Sequence, residues 1–163
     1  MPFTMLREYF PELAEQETRS FTVLNDERIP SGSYGLIESY CDEPDCDCRR
    51  VFLLVFSSRS KRMEAVISYG WERAAFYARW MRTDDAELIE ELRGPVLNKL
   101  SPQSSLAPAI LEMVRDVILQ DQAYVERLKR HYRLFRDHIG RNPKGKLLSG
   151  FEKRKTIKMR KLR

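Results

Sequence analysis

Residues 33–56 run SYGLIESYCDEPDCDCRRVFLLVF, and the fold turns on how they are read. In an extended chain, Tyr34, Leu36 and Tyr40 fall on one face and Gly35, Ile37 and Cys41 on the other, because successive strand side chains point to opposite sides. Asp42-Glu43-Pro44-Asp45 is turn chemistry: the proline fixes its own φ, and aspartate side chains hydrogen-bond nearby amides. Val51-Phe52-Leu53-Leu54-Val55-Phe56 is an unbroken apolar run that predicts a strand buried on both faces. Positions 33–56 therefore read as a hairpin. A turn over 57–61 leads to a third strand, Met63 to Tyr69, and Ser20 to Leu24 alternates weakly enough to make an optional fourth. The middle of the chain is an antiparallel β-meander.

Downstream the period changes from two to between three and four. Trp71, Ala74, Ala75, Ala78 and Met81 predict a helix up to Thr83. Asp84 with Glu87 resembles a capping box for a second short helix that Gly94-Pro95 stops. The longest pattern follows: Leu111, Val114, Ile118, Asp121, Val125, Leu128, Tyr132, Phe135 and Ile139 step by three and four, with Asp121 the one polar break. Gly140 marks its end, so a single helix over about 108–139 is expected. At 1.5 Å per residue it would be roughly 48 Å long, more than a domain of this size can cover, so it must bend, project or pair with a second copy. The bent helix across the meander and a homodimer through the seam both satisfy the pattern.

The fold class expected is α+β: a three- to four-stranded antiparallel meander, two short helices and one long C-terminal helix, followed by a basic disordered tail. One domain spans 1–140 and the tail 141–163. With 163 residues, 42% of them hydrophobic, the chain can bury roughly 70% of its unfolded surface without disulfide support. Fibrous and wholly disordered classes are excluded. No apolar run approaches the ~20 residues of a membrane span, and the start lacks the cationic and apolar regions of a secretory signal. A cytoplasmic protein with no membrane partner is expected.

All three cysteines lie within eight residues: Cys41, Cys46 and Cys48. Two apart in an extended segment, Cys46 and Cys48 share a face, and Cys41 ends the partner strand across the turn. Zinc holds soft thiolates in a tetrahedral array, so Cys41, Cys46 and Cys48 are the candidate metal ligands and zinc the candidate cofactor. The fourth ligand is open between His131, His138, an aspartate of the turn, a second chain and, at a catalytic site, water. The spacing is not that of paired zinc ribbons. Reduced thiols beside a turn, a disulfide with a spare sulfur, and a redox pair stand as the alternatives. No phosphate loop, nucleophile elbow or paired-histidine zinc motif is present, and no catalytic residue is assigned.

The net charge of +5 is unevenly spread. Residues 141–163 hold ten Lys or Arg against Glu152 alone, for +9, and residues 1–140 carry −4. Arg130 and Arg133 on the last helix and Lys153, Arg154, Lys155, Arg160 and Lys161 in the tail are candidates for phosphate contact with RNA, DNA or a ribonucleoprotein. Phe151 is the tail's one aromatic ring, which favours electrostatic docking over base stacking. The sequence thus points to a small non-enzymatic protein with a zinc hairpin and a basic nucleic-acid contact. A zinc hydrolase or nuclease using Asp45 or Asp47, and a dimeric module using the 111–139 seam, are the competing readings.

Overall fold

A computed structural model of the chain describes residues 2–141. The fold is α+β, and its sheet has six antiparallel strands rather than three or four. In chain order the strands are β1 (Phe3–Met5), β2 (Arg19–Val23), β3 (Gly32–Cys41), β4 (Arg50–Ser57), β5 (Met63–Gly70) and β6 (Val96–Leu97). The helices are α1 (Leu6–Tyr9), α2 (Pro11–Glu17), α3 (Ala74–Met81), α4 (Ala86–Arg93), α5 (Ala107–Asp116) and α6 (Gln122–Arg141).

The meander β3-β4-β5 is the predicted one, with Leu36 opposite Val55 and Leu53 opposite Ile67. Short edges complete it. β1 pairs with the end of β3, placing Phe3 opposite Cys41, and β2 pairs with its beginning, placing Arg19 opposite Leu36. At three and two residues, β1 and β6 are too short to show an alternation, which is why neither is legible as a pattern.

One sheet face carries Tyr34, Leu36, Glu38, Tyr40, Val51, Leu53, Val55, Ala65 and Ile67, all buried. The core forms between that face and α5 and α6, which add Ile110, Val114, Leu128 and Phe135. The opposite face of β4 is only half covered at Phe52, Leu54 and Phe56, so the strand is not buried on both sides. Phe3 stacks on Phe52 there, with ring centroids 3.9 Å apart. On the same side α3 and α4 close over the end of β5, where a Cβ on Gly70 would lie 2.2 Å from the Tyr77 hydroxyl. Gly94 ends α4 with φ of +58°, and a Cβ on it would lie 2.2 Å from the Ser68 carbonyl oxygen, so glycine is required on both counts. The cap of α4 is Asp85 rather than Asp84: its carboxylate accepts from the amides of Glu87 at 3.0 Å and Leu88 at 3.2 Å.

The single helix over 108–139 is corrected to two. α5 ends at Asp116, a 3₁₀ turn occupies Ile118–Gln120, and α6 begins at Gln122. Asp121, the polar break in the seam, is the cause. Its backbone is extended, its side chain accepts from the amide of Ala123 at 3.0 Å, and its carbonyl accepts from Tyr124 and Val125. It caps α6, and Arg19 Nη1 donates to it at 2.9 Å. Past the bend, Val125, Leu128, Tyr132, Phe135 and Ile139 are buried within the chain, so the face left open to a second copy by the sequence is covered by its own sheet.

Candidate metal centre

The cysteine loop spans the gap between the end of β3 and the start of β4. Cys41 is the last residue of β3, Cys46 and Cys48 lie in the connection, and β4 opens at Arg50. The three Sγ atoms lie within 4.8 Å of one another, with Cys41 and Cys48 buried and Cys46 half-buried. Zinc bonded to thiolates at about 2.3 Å in tetrahedral geometry spaces the sulfurs about 3.8 Å apart, so a closure of at most about 1 Å brings them onto an ion. All three are free thiols rather than a disulfide. Among the described residues no other cluster of cysteine, histidine and acidic side chains has this geometry.

Distant elements hold the loop in place. Arg136 on α6 donates from Nη1 to the Cys41 carbonyl at 2.8 Å and from Nη2 to the carbonyls of Glu43 at 2.7 Å and Pro44 at 2.9 Å. One turn back on the same helix, the Tyr132 hydroxyl donates to Asp47 Oδ1 at 2.9 Å and accepts from the Arg49 amide at 3.1 Å. Tyr77 on α3 donates to the Arg49 carbonyl at 2.9 Å. Arg49 itself adopts φ of +48°, and its guanidinium pairs with Asp47 and Glu72 over the ring of Phe76. On the β1 side, Thr4 Oγ1 donates to Asp42 Oδ2 at 2.5 Å. A loop tied at this many points needs no metal to bring its sulfurs together.

The electrostatics favour thiolate at one corner. A hydrogen bond from the Cys48 thiol, helped by the Glu43 amide, the Cys46 thiol and the Arg136 guanidinium, outweighs burial and draws the Cys41 pKa down to about 6. Cys48 is pushed up, first because it donates its proton to Cys41 and then by burial. Burial, followed by the Cys41 charge, raises Cys46. Arg50 is buried beside them. Its Nε donates to the Leu92 carbonyl at 2.9 Å and its Nη2 to Ser68 Oγ at 2.5 Å, while burial lowers its pKa against the opposing pull of the three sulfurs. Two guanidiniums, Arg50 and Arg136, thus act on the thiols with a sign that favours thiolate. Arg50 is local, two residues past Cys48, whereas Arg136 comes from α6; between the thiols themselves stand only the acids Asp42, Glu43, Asp45 and Asp47 and Pro44.

The histidines are engaged elsewhere. His131 is fully buried on α6, with Nδ1 2.6 Å from Glu38 Oε2 and Nε2 3.2 Å from Glu17 Oε2. His138 packs on the rings of Tyr9 and Phe10, at centroid distances of 4.4 and 5.6 Å. Two further buried acids are engaged apart from the cluster: Glu38 meets His131 on α6, and Glu64, at the bulge between β4 and β5, accepts from Ser60 Oγ at 2.6 Å. Of the candidate phosphate contacts, Arg130 is paired with Glu17 at 2.6 Å and Arg133 is exposed. Lys153, Arg154, Lys155, Arg160 and Lys161 lie outside the described residues. No described helix is long and apolar enough to cross a membrane.

Fold and site together define a small α+β protein with a three-thiol cluster at one end of its sheet. Compared with protein-family models, curated proteins and solved structures, the chain matches none.

Proposed function

We propose that this is a non-enzymatic zinc protein: Cys41, Cys46 and Cys48 hold one structural ion at the β3–β4 connection, and the basic C-terminal segment contacts RNA, DNA or a ribonucleoprotein. The observation that carries the metal reading is the convergence of three Sγ atoms within 4.8 Å in a loop anchored from α3, α6 and β1. Free thiols beside two guanidiniums suit a reducing compartment, with the cytoplasm as the expected location. A structural role fits the placement, since the ion would join the end of β3 to the start of β4 under α6. The competing hydrolase reading loses one of its bases, because Asp47 is held by Arg49 and Tyr132.

The deciding experiment is metal analysis of untagged protein with thiol titration before and after chelation. About one zinc per chain with protected thiols is the expected result, and Cys48→Ser should lower the zinc content. Absence of metal together with three freely reacting thiols defeats the reading. The nucleic-acid contact is tested separately by titrating RNA and duplex DNA over a range of salt. Replacing Lys153, Arg154, Lys155, Arg160 and Lys161 by Gln should flatten the slope of log K against log salt by about 0.9 for each duplex phosphate that these side chains neutralise. An unchanged slope would assign the binding to other residues.

A further inference from the structure

Arg50 opens β4 and reaches to α4, and only 7% of it is exposed. A guanidinium stays charged even when buried, and a buried charge is costly unless it is paired and hydrogen-bonded. Of its three nitrogens, Nε donates to the Leu92 carbonyl at 2.9 Å and Nη2 to Ser68 Oγ at 2.5 Å. Nη1 has no hydrogen-bond partner, and no carboxylate pairs with Arg50, among the described residues. The cysteine sulfurs attract it electrostatically but accept no hydrogen bond from it. Among the described residues, the polar side-chain atoms sealed in the fold without a partner are Glu38 Oε1, Arg93 Nε and Tyr124 Oη. Arg50 Nη1 is not one of them, so it is open to solvent.

The cavity that Arg50 lines, about 330 Å³ in volume, lies between α4, β5 and β6. Ser68 is its other buried polar group, 4% exposed; its Oγ accepts from Arg50, and its own proton has no acceptor among the described residues. Leu88, Leu92, Val96 and Leu97 supply apolar wall, and Leu100, 95% exposed, stands at the rim. The other charged groups on the wall are Lys99 and Glu91, which pair with each other. Asn98 is engaged: its side-chain amide donates to Ser101 Oγ at 2.6 Å, and its side-chain oxygen accepts from the Leu100 amide at 3.4 Å.

We infer that this cavity binds a small monocarboxylate with an apolar tail, its carboxylate held by Arg50 Nη1 and the Ser68 hydroxyl and its tail laid on the leucines. Guanidinium and carboxylate form strong, charge-assisted hydrogen bonds. The adjoining groove shares Glu91 and adds Glu87 and Glu90, whose charge opposes a phosphate ester or a nucleic-acid backbone more than a monoanion. Ligand sites of about 300–1,000 Å³ with apolar walls and a few convergent polar groups suit small amphipathic molecules, and this cavity stands at the small end. Binding is a hydrogen-bonded ion pair in which no covalent bond is made or broken. The site does not need the cysteines to hold zinc.

Titration of the full-length, methyl-labelled chain with hexanoate and with benzoate, followed by NMR, tests this. Both acids should shift the methyls of Leu92, Val96 and Leu97 to saturation. Hexanamide, similar in shape and uncharged, should bind at least about tenfold more weakly, as the loss of a hydrogen bond between charged groups requires. Arg50→Gln should abolish saturation by hexanoate. Should that chain fail to fold by circular dichroism, exposed position 100 decides: Leu100→Asp should bind hexanoate several-fold more weakly than Leu100→Asn, while hexanamide does not distinguish the two. No saturable shift with either acid, equal affinity for hexanoate and hexanamide, unchanged binding in a folded Arg50→Gln chain, or identical hexanoate binding by the two position-100 variants overturns the site. Tighter binding of inorganic phosphate than of hexanoate overturns the assignment to a carboxylate.

Discussion

His131 sits between two carboxylates with no exposed surface, and its protonation couples three elements of the fold. Burial alone would lower its pKa, but the hydrogen bonds and charges of Glu38 and Glu17 together outweigh burial and raise it. Glu38 is raised by burial more than His131 lowers it, and Glu17 is held down at about 2, chiefly by the Arg130 guanidinium. The signs follow by linkage. A histidine whose folded pKa lies above its unfolded value of about 6.5 stabilises fully below that pH, and the contribution is lost as pH rises through the folded value. Glu17 contributes above its unfolded value of 4.5 and loses that contribution as pH falls through about 2. His131→Leu leaves Glu38 buried without its partner and should cost about 3 kcal/mol near pH 6. The difference from the wild-type chain should shrink as pH rises past the folded pKa of His131. Urea unfolding of both chains across pH 5.5 to 8.5 measures it, and a pH-independent difference would show that packing alone is responsible. Half of this pair is legible in the sequence, since Glu38 occupies the inward alternation between Leu36 and Tyr40. Its partner is not, because 93 residues separate the two and no local pattern spans that distance. The cysteine cluster is legible for the opposite reason: its three members and Arg50, two residues past Cys48, are local, whereas Arg136 comes from α6 and is not.

The elements that periodicity predicts well are those long enough to repeat it. β3, β4, β5 and the stripe of α6 appear where the alternation and the steps of three and four place them. The break between α5 and α6 is visible in the sequence as Asp121, yet the steps of three and four run through it as one seam. An aspartate before a helical run is also a cap, and the length excess over the domain diameter is relieved once the chain bends there. The bend returns the whole apolar stripe to the sheet, with Leu128 fully buried and its carbonyl accepting from the Tyr40 hydroxyl at 3.1 Å. Leu128→Ala should therefore cost about 2–5 kcal/mol, the range for truncating a core leucine. A seam that served a dimer interface would give an unfolding midpoint that moves with protein concentration. Equilibrium unfolding of the wild-type and Leu128→Ala chains over a hundredfold range of concentration should give a midpoint that differs between the chains and stays fixed with concentration within each. A concentration-dependent midpoint would restore the dimer.

At the scale of the whole molecule the question is whether the metal folds the protein or fastens a protein already folded. Small zinc modules unfold without their ion because little else holds them. Here the sheet pairs six strands, the core between it and α5 and α6 is continuous, and the cysteine loop is tied by Arg136, Tyr132, Tyr77 and Thr4 without any metal bond. Zinc then stabilises by mass action only: free metal at a thousandfold excess over its dissociation constant contributes about 4 kcal/mol. For a chain of this length each kcal/mol moves the melting temperature by about 2–4 °C, so chelation should lower it by roughly 8–16 °C. At room temperature the far-ultraviolet circular dichroism should stay that of the loaded protein. Cys48→Ser should begin at the lower melting temperature and respond little to chelator, because the pocket has lost a buried sulfur. Thermal scans of both chains with and without chelator settle which regime holds. Collapse of the secondary structure on chelation at room temperature would make the ion a condition of folding, and an unmoved melting temperature in the wild-type chain would remove the ion from the structure's energetics altogether.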